Sequence, residues 1–445
     1  RPRAAGGNPG GLCHFETSTW FPRPEALSLS AVQPGEAELK ERAGMGPGLN
    51  VETRTVAELS EAERTLWAQF RAANPALYSP YFDLRYIEAA AQWAPGAAVA
   101  VVRLNGQTAA FLPFQRRGGL LQPLGAPMTD YHGLIARPDT GIDLREVIGA
   151  LGARRYRFSG LMGLPPERAT QAEARPAMLA DLRQGYEGYL ADRKAAGHWN
   201  YVKDKQRCMR QLVKAHGPAK FRWSKDPDDL ARLIDGKRDQ MRRTGQHDVF
   251  ATSWTRGLLM SLAEIDSQDF GLRVAVLEAG GRQIAAEVGL LSGDTYHFWF
   301  PIYDRDFARF SPGALLSYET LSVLAEEGVS FADFGPGAES YKRVFADPGP
   351  DVLEGDIHID PFITGLRELV RHAREAHPQV HGRLASAYLR LDRRLDRITA
   401  CEPGLEGQLT AMGRSLGALG RRHRRLSIGL GAGLSLASAG LLISE

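Results

Sequence analysis

Between Val51 and about Gln92 the apolar residues recur with a helical period. In ELSEAERTLWAQFRAAN, Leu59, Glu63, Leu66 and Phe70 fall along one side, and Ser60 stands where a helix cap is expected. SPYFDLRYIEAAAQW predicts a second helix with Pro80 just inside its start. The period then shortens to two. AAVAVVRLNGQTAAFLPFQRR reads as strand, Asn105-Gly106 turn and strand, the strongest short hairpin signal in the chain. LLQPLGAPMTDYHGLIA follows as short strands around turns, then DLREVIGALG as a helix and YRFSGLM as a strand.

The same order returns in the second half. LARLIDGKRDQMRRTG and TRGLLMSLAEIDSQ are helical in pattern. LRVAVLEAGGRQIAAEVGLLSGDTYHFWF then gives three strands, turning at Gly280-Gly281 and at Ser292-Gly293-Asp294. SPGALLSYETLSVLAEEG predicts a helix, and VSFADFG a strand whose end is marked by Asp333. This repeat of organisation, not of residues, predicts an α/β protein of two similar domains, residues 49–185 and 186–365. Residues 1–48 hold several Gly and Pro and read as a loose lead-in, and residues 366–445 as an Arg-rich helical tail with an apolar end.

Composition narrows the class. Hydrophobic residues at 43% suffice for cores, and charged residues at 24% argue against wholesale disorder. A formal net charge of +3 gives no reason to expect DNA as a partner. Cys13, Cys208 and Cys401 are too scattered for a disulfide framework or a CxxC metal pattern, which fits a reducing compartment. With no secretory hydrophobic stretch at the start, the expected location is cytoplasmic. Residues 190–225 carry ten Lys or Arg against Asp192 and Asp204; in YVKDKQRCMRQLVKAHG, Val202, Met209, Leu212 and Val213 form a rough apolar stripe. That segment is either a solvated helix face or a surface for phosphates. The uncharged stretch Leu426–Ser444, 19 residues diluted by Gly and Ser, follows Arg421, Arg422, Arg424 and Arg425. It suits peripheral contact with an anionic membrane, and so association with the inner membrane face, or a packed tail.

The candidate chemistry clusters late in the chain. In FARFSPGALLSYETL, Ser311 is placed to cap, Pro312 fits the first helical position, and Gly313 and Ala314 expose N–H groups to an anion, with Arg309 beside them. The aromatic strand Tyr296 to Phe300 and the loop bearing Tyr303 precede this turn. In ADFGPGAESYKRVF, Asp333 or Glu339 is a candidate base, Tyr341 or Tyr303 a candidate proton donor, and Lys342 a candidate holder of phosphate or carboxylate. His297, mid-strand, is either a satisfied core histidine or a base; Glu287 in IAAEVGLL is a costly residue to bury unpaired. Asp130, Tyr131 and His132 are candidates to grip an acceptor or to stabilise a turn. GxxxxGK[ST] and HExxH are both missing from the sequence, and no metal site is expected.

With those blocks in one order, the chain resembles the CelD/BcsL-type acetyltransferases of the FemAB-like branch of the GNAT superfamily. The resemblance runs from about Leu59 to Phe345 through SPYFDLRYIEAAAQW, LNGQTAAFLPF, LGAPMTDYHG, RQIAAEVGLLSGDTYHFWFPIYDRDFARFSPGALL and DFGPGAESYKRVF. It implies two tandem GNAT-like domains with mixed sheets flanked by helices, the second holding the acyl donor and the groove between them the acceptor. By the same resemblance Arg309, Ser311 and Gly313 lie at the donor phosphates, and Asp333, Glu339, Tyr341 and Lys342 match the family's closing motif. RFSPGA stands where GNAT proteins carry Q/R-x-x-G-x-G/A, and both acyl-CoA and acyl-carrier protein stay open as co-substrates, with no permanently bound cofactor. Relatives of this kind act on envelope polysaccharides, on peptidoglycan precursors through aminoacyl-tRNA, and on sphingoid bases to make ceramide. The expectation is therefore an N-acyltransferase acting on an amine of a lipid or lipid-linked acceptor. An amino sugar of an exopolysaccharide or holdfast is the alternative acceptor, and an inert sensing or scaffold module the alternative class.

Overall fold

The computed structural model describes residues 48–138, 140–163, 172–360, 394–395, 397–402, 404 and 406–413. The lead-in, the segment LRELVRHAREAHPQV and the Arg421 to Ser444 tail lie outside the described residues. The described residues fall within one compact unit.

Thirteen strands make one mixed sheet. The first half contributes β1 (Leu49–Arg54), β2 (Ala97–Leu104), β3 (Gln107–Arg117), β4 (Leu120–Pro123), the short β5 (Ile135–Ala136) and β6 (Arg155–Leu161). The second contributes β8 (Lys220–Ser224), β9 (Phe270–Ala279), β10 (Arg282–Ser292), β11 (Thr295–Tyr303) and β12 (Phe331–Pro336). Each half is an antiparallel meander closed by one parallel pair, β4 with β6 and β11 with β12. Each parallel pair requires a crossover, supplied by the helices α3 (Leu144–Ala150) and α8 (Pro312–Glu326).

The last two strands are exchanged. β7 (Glu173–Asp181) follows β6 in sequence yet pairs with β12, while β13 (Asp347–His358) follows β12 yet pairs with β6. β7 and β13 then pair with each other and join the halves. Neither strand is legible as one: ADPGPDVLEGDIH looks like a loop, and its prolines are tolerated because the register breaks between Pro348 and Asp351. The exchange is fastened by Arg193, 2% exposed, which pairs with Asp347.

Local signals mostly hold. Asn105 (φ 51°) and Gly106 (φ 80°) are both left-handed, as a two-residue hairpin turn requires, and Gly280-Gly281 turns β9 into β10 in the same way. α1 (Glu61–Ala73) starts at a capping box of Ser60 and Glu63, and α2 (Leu84–Trp93) follows the short 3-10 turn at Pro80. Three expectations are corrected. The stretch beginning at Val51 opens on a strand, because residues 49–54 pair with β2; only beyond it does the helical period apply. On α5 (Trp199–His216) Val213 is exposed, and Lys205 and Cys208 join Val202 and Leu212 on the buried side, since the helix packs that side on α8 and β9. Asp333 lies inside β12, which runs on to Pro336 because Pro336 still registers with Ala177 of β7.

The loop bearing Asp130 is held against β6 by hydrogen bonds from His132 N to Gly160 O (3.0 Å) and from Met162 N to His132 O (2.8 Å). A methyl group on Gly160 would sit 1.8 Å from the Asp130 carbonyl oxygen, so only glycine permits this approach. We therefore expect Gly160→Ala to lose about 1–3 kcal/mol of stability, as overpacked sites do, read as a lowered midpoint in urea unfolding. An unchanged midpoint would mean that the loop moves away freely.

Candidate active site

β11 and β12 pair through only three residues each, Thr295–His297 with Phe331–Asp333, and then part. A cleft of about 430 Å³ opens where they separate. Its second-half wall carries Phe298, Trp299 and Pro301 of β11, Phe334 to Pro336 of β12, Glu287 of β10 and Ser317 of α8. The facing wall comes from β4, β6, β7 and β13, and carries Gln122, Arg157, Ser159, Arg175 and Glu354. Arg397 and Ala400 of the C-terminal helical segment also line it.

Glu287 is 2% exposed and sits across from Pro301 in the β10–β11 register. Ser317 Oγ lies 3.5 Å from its Oε2, the outer limit of a hydrogen bond, and its Oε1 has no partner among the described residues. Burial without a cation pushes this carboxyl up to about 8, only slightly opposed by Ser317. Glu339 behaves oppositely. It opens the one-turn helix α9 (Ser340–Arg343), where Lys342 Nζ approaches its Oε2 at 3.0 Å. Burial raises the Glu339 carboxyl, but the Lys342 hydrogen bond, the residue's own backbone N–H and the charges of Lys342 and Arg175 together outweigh that and hold it below the usual value. Lys342 also donates to Pro336 O at 2.8 Å, so its ammonium is spent on fastening this loop to β12.

Tyr341 is exposed at the rim of the cleft. Burial around its hydroxyl, reinforced by Glu339, Asp130 and Glu287, pushes it up to about 12, so it stays protonated at neutral pH. These groups thus share one electrostatic neighbourhood although they come from four separate segments.

Behind the cleft, His297 is fully buried with Nε2 3.0 Å from Asp130 Oδ2 and Nδ1 3.7 Å from Asp333 Oδ2, the second contact being ionic and too long for a hydrogen bond. Burial pushes the imidazole down, but the two carboxylates prevail and raise it to about 9. Asp333 Oδ1 accepts from Tyr131 Oη (2.9 Å) and Gly335 N (2.7 Å), and its Oδ2 from Tyr78 Oη (3.2 Å). Tyr81 packs edge-on against both His297 and Trp299, which confirms that these two rings share a face of β11.

Of the acceptor candidates, only Asp130 lines the cleft. Tyr131 is buried with its hydroxyl committed to Asp333. His132 is buried against Tyr156 and Phe158 with neither ring nitrogen partnered, and desolvation lowers it to about 3, so it is a neutral core residue. Tyr303 lies outside the cleft lining, beside Gly313. His297 and Asp333 do not line the cleft either; they act through Asp130 and the backbone of Gly335.

At the start of α8, Pro312 occupies the first turn as expected, but Ser311 does not cap. Its backbone is left-handed (φ 55°, ψ 50°), not the extended shape a cap needs, and its Oγ instead lies 3.0 Å from Lys205 Nζ, which donates to it. Arg309 is exposed and stacks on Phe310 at 4.6 Å. Gly313 and Ser317 are one turn apart, and Ser317 Oγ donates to Gly313 O at 3.2 Å. Around Gly313 only Tyr303 comes within 4 Å of an added methyl, so a ligand can approach the backbone, and Ala314 is half-buried beside it.

Residues 200–343 match the acetyltransferase (GNAT) domain family. Over that stretch the fold is of the GNAT acetyltransferase type. No curated protein matches the sequence. Solved structures similar to it include a conserved protein of unknown function from Bacteroides thetaiotaomicron (12% identity, TM-score 0.45, covering 70% of this chain and 100% of that one). A tandem GNAT protein from the clavulanic acid biosynthesis pathway aligns at 12% identity and TM-score 0.43, over 70% of this chain and 99% of its own. FemX aligns at 11% identity and TM-score 0.42, over 71% and 100%. Within the GNAT region fall Glu287, His297, the start of α8, Asp333 and the α9 loop; Asp130, Arg157, Arg175 and Arg397 fall outside it.

Sequence reasoning missed Ser317, Arg157, Arg175 and Arg397. The alternation in YRFSGLM was the one available signal for Arg157, while Arg175 required β7 to be recognised.

Because His297 is raised from 6.5 to about 9, its contribution to stability is complete below pH 6.5 and is lost as pH rises through about 9. The loss approaches about 3 kcal/mol at most, from the size of the shift. Urea midpoints measured from pH 6.5 to 9.5 should fall more steeply for the wild type than for His297→Gln. Parallel slopes would remove the charged imidazole from the account.

Proposed function

We propose that this protein is an N-acyltransferase that carries an acyl group from a pantetheine thioester, as in acyl-CoA, to an amine by direct transfer. The match of residues 200–343 to the GNAT acetyltransferase domain supports acyl transfer; the donor and acceptor are the further step. The observation that carries this reading is the buried, cation-free Glu287 facing the cleft where β11 and β12 part.

Where two strands separate, main-chain N–H and C=O groups lose their ladder partners and must find others. A pantetheine arm is extended and bears amides, so it suits that gap. This chemistry is common to CoA and to an acyl-carrier protein. The accessible backbone at Gly313, with Arg309 and Lys205 nearby, supports a donor with phosphates at its far end.

An amine arrives largely as an ammonium ion and must lose a proton before it attacks. Glu287, raised to about 8, is a stronger base than an ordinary carboxylate, and its unpartnered Oε1 is free to accept. The neutral nitrogen adds to the thioester carbonyl, the C–N bond forms, and the C–S bond breaks as the tetrahedral intermediate collapses. Tyr341, protonated and at the rim, is the donor to the departing thiolate, and the proton that the nitrogen sheds as the amide forms restores it. Asp130, oriented by the His297–Asp333 pair, is suited to hold the ammonium before deprotonation. Glu339, already paired with Lys342, is the weaker candidate base.

For the acceptor, the Arg-rich and apolar C-terminal sequence supports an amine on a lipid or lipid-linked molecule, handled at a membrane surface. Among the described residues no helix is long and apolar enough to cross a membrane. The motif DFGPGAESYKRVF supports placing the chain with the CelD/BcsL type of the FemAB-like branch.

Glu287→Gln should lower kcat by about 100-fold or more, the range of general-base loss, while acyl-CoA binding measured by calorimetry is retained. In the wild type kcat/KM should rise with pH through about 8, as the Glu287 carboxyl ionises, and this limb should vanish in the variant. Release of free thiol at the wild-type rate by Glu287→Gln would remove it as the base. Failure of the folded wild type to release CoA from any acyl-CoA and amine pair would overturn the enzyme reading.

A further inference from the structure

The charges around the cleft do not balance. Lys342 is matched by Glu339 on the second-half wall, and Asp130, from the first half, by His297. Glu287, raised to about 8, is largely uncharged at neutral pH. On the facing wall Arg175 is matched by Glu354. One guanidinium group of the lining remains, that of Arg397, which among the described residues has no carboxylate within ion-pair distance.

Arg397 does not hang on a loose tail. Its turn is anchored by Ile398 and Cys401, both fully buried. Trp254 Nε1 donates to Cys401 O at 3.1 Å, and Arg117 Nη1 to Glu402 O at 3.4 Å. The exposed guanidinium is therefore presented to the cleft from a fixed backbone, together with Ala400 of the same turn.

Accepting the acyl-transfer reading given above, we infer that the acceptor amine carries an oxyanion and that Arg397 is the residue that recognises it. An amine alone would gain nothing from this wall, since a cation meets surplus positive charge there. A molecule with an ammonium at one end and a phosphate or carboxylate at the other matches both walls, the ammonium toward Asp130 and Glu287 and the oxyanion toward Arg397. The planar guanidinium fork suits either oxyanion through paired N–H···O bonds, which are stronger than neutral ones. The first-half strands and the C-terminal turn, which lie outside the GNAT region, thus set acceptor specificity, while the GNAT region supplies the chemistry.

The test uses the full chain with acyl-CoA and matched acceptors: glucosamine against glucosamine 6-phosphate, and sphinganine against sphinganine 1-phosphate. Muramic acid, which bears a carboxylate, distinguishes the two oxyanions. The phosphate- or carboxylate-bearing member should be preferred in kcat/KM by about tenfold or more, the worth of one charge-assisted pair. In Arg397→Ala that ratio should collapse to about twofold or less, with Arg397→Lys in between; thermal melting verifies that both variants fold. Equal use of charged and neutral amines by the wild type, or a preference that survives in Arg397→Ala, would overturn the inference while leaving acyl transfer intact. If no amine is acylated, the enzyme reading has failed, and calorimetric binding decides the oxyanion site by itself. Binding of glucosamine 6-phosphate or sphinganine 1-phosphate that Arg397→Ala abolishes would uphold it, and its absence in the wild type would end it.

Discussion

The parallel ladder between β11 and β12 stops after three residue pairs, and the cleft exists because it stops. Had the strands continued together, Phe298 to Pro301 would have closed against Phe334 to Pro336, and Glu287 would have been sealed in with no possible partner. That would be an expensive place for a carboxyl group. Separation leaves the same carboxyl facing an open cleft.

What holds the strands apart is the seam beside them. β12 is bound on its far side by β7, which belongs in sequence to the first half, and β7 in turn by β13, which belongs to the second. Neither half has all the strands of its own sheet. The geometry of the parted pair therefore depends on both halves being folded, and Arg193, buried against Asp347, ties β13 to α4 (Gly185–Ala195). Acceptor-side residues on β6, β7 and β13 reach the cleft by the same exchange.

Electrostatics then divides the carboxylates by role. Glu339 has a lysine and is held ionised; Glu287 has only a serine and is held largely protonated at neutral pH. Asp333 is surrounded by donors and sits behind His297, whose charge it shares with Asp130. Four carboxyl groups within one neighbourhood thus differ in charge and exposure, and the difference lies in their partners.

The sequence by itself determined whatever depends on neighbours along the chain. Turns at Asn105-Gly106 and Gly280-Gly281, the Ser60–Glu63 helix start, Pro312 at the first turn of α8, and the oddity of Glu287 in an apolar strand were all legible. Period and turn chemistry act over a few residues, so a single segment carries their full signal. Only the tertiary structure decided that 347–358 is a central strand, that Ser311 faces Lys205 instead of capping, that His132 is a neutral core residue and that Arg397 enters the cleft. Strand partners, desolvation and charge balance are sums over residues far apart in the chain, and no local pattern contains them.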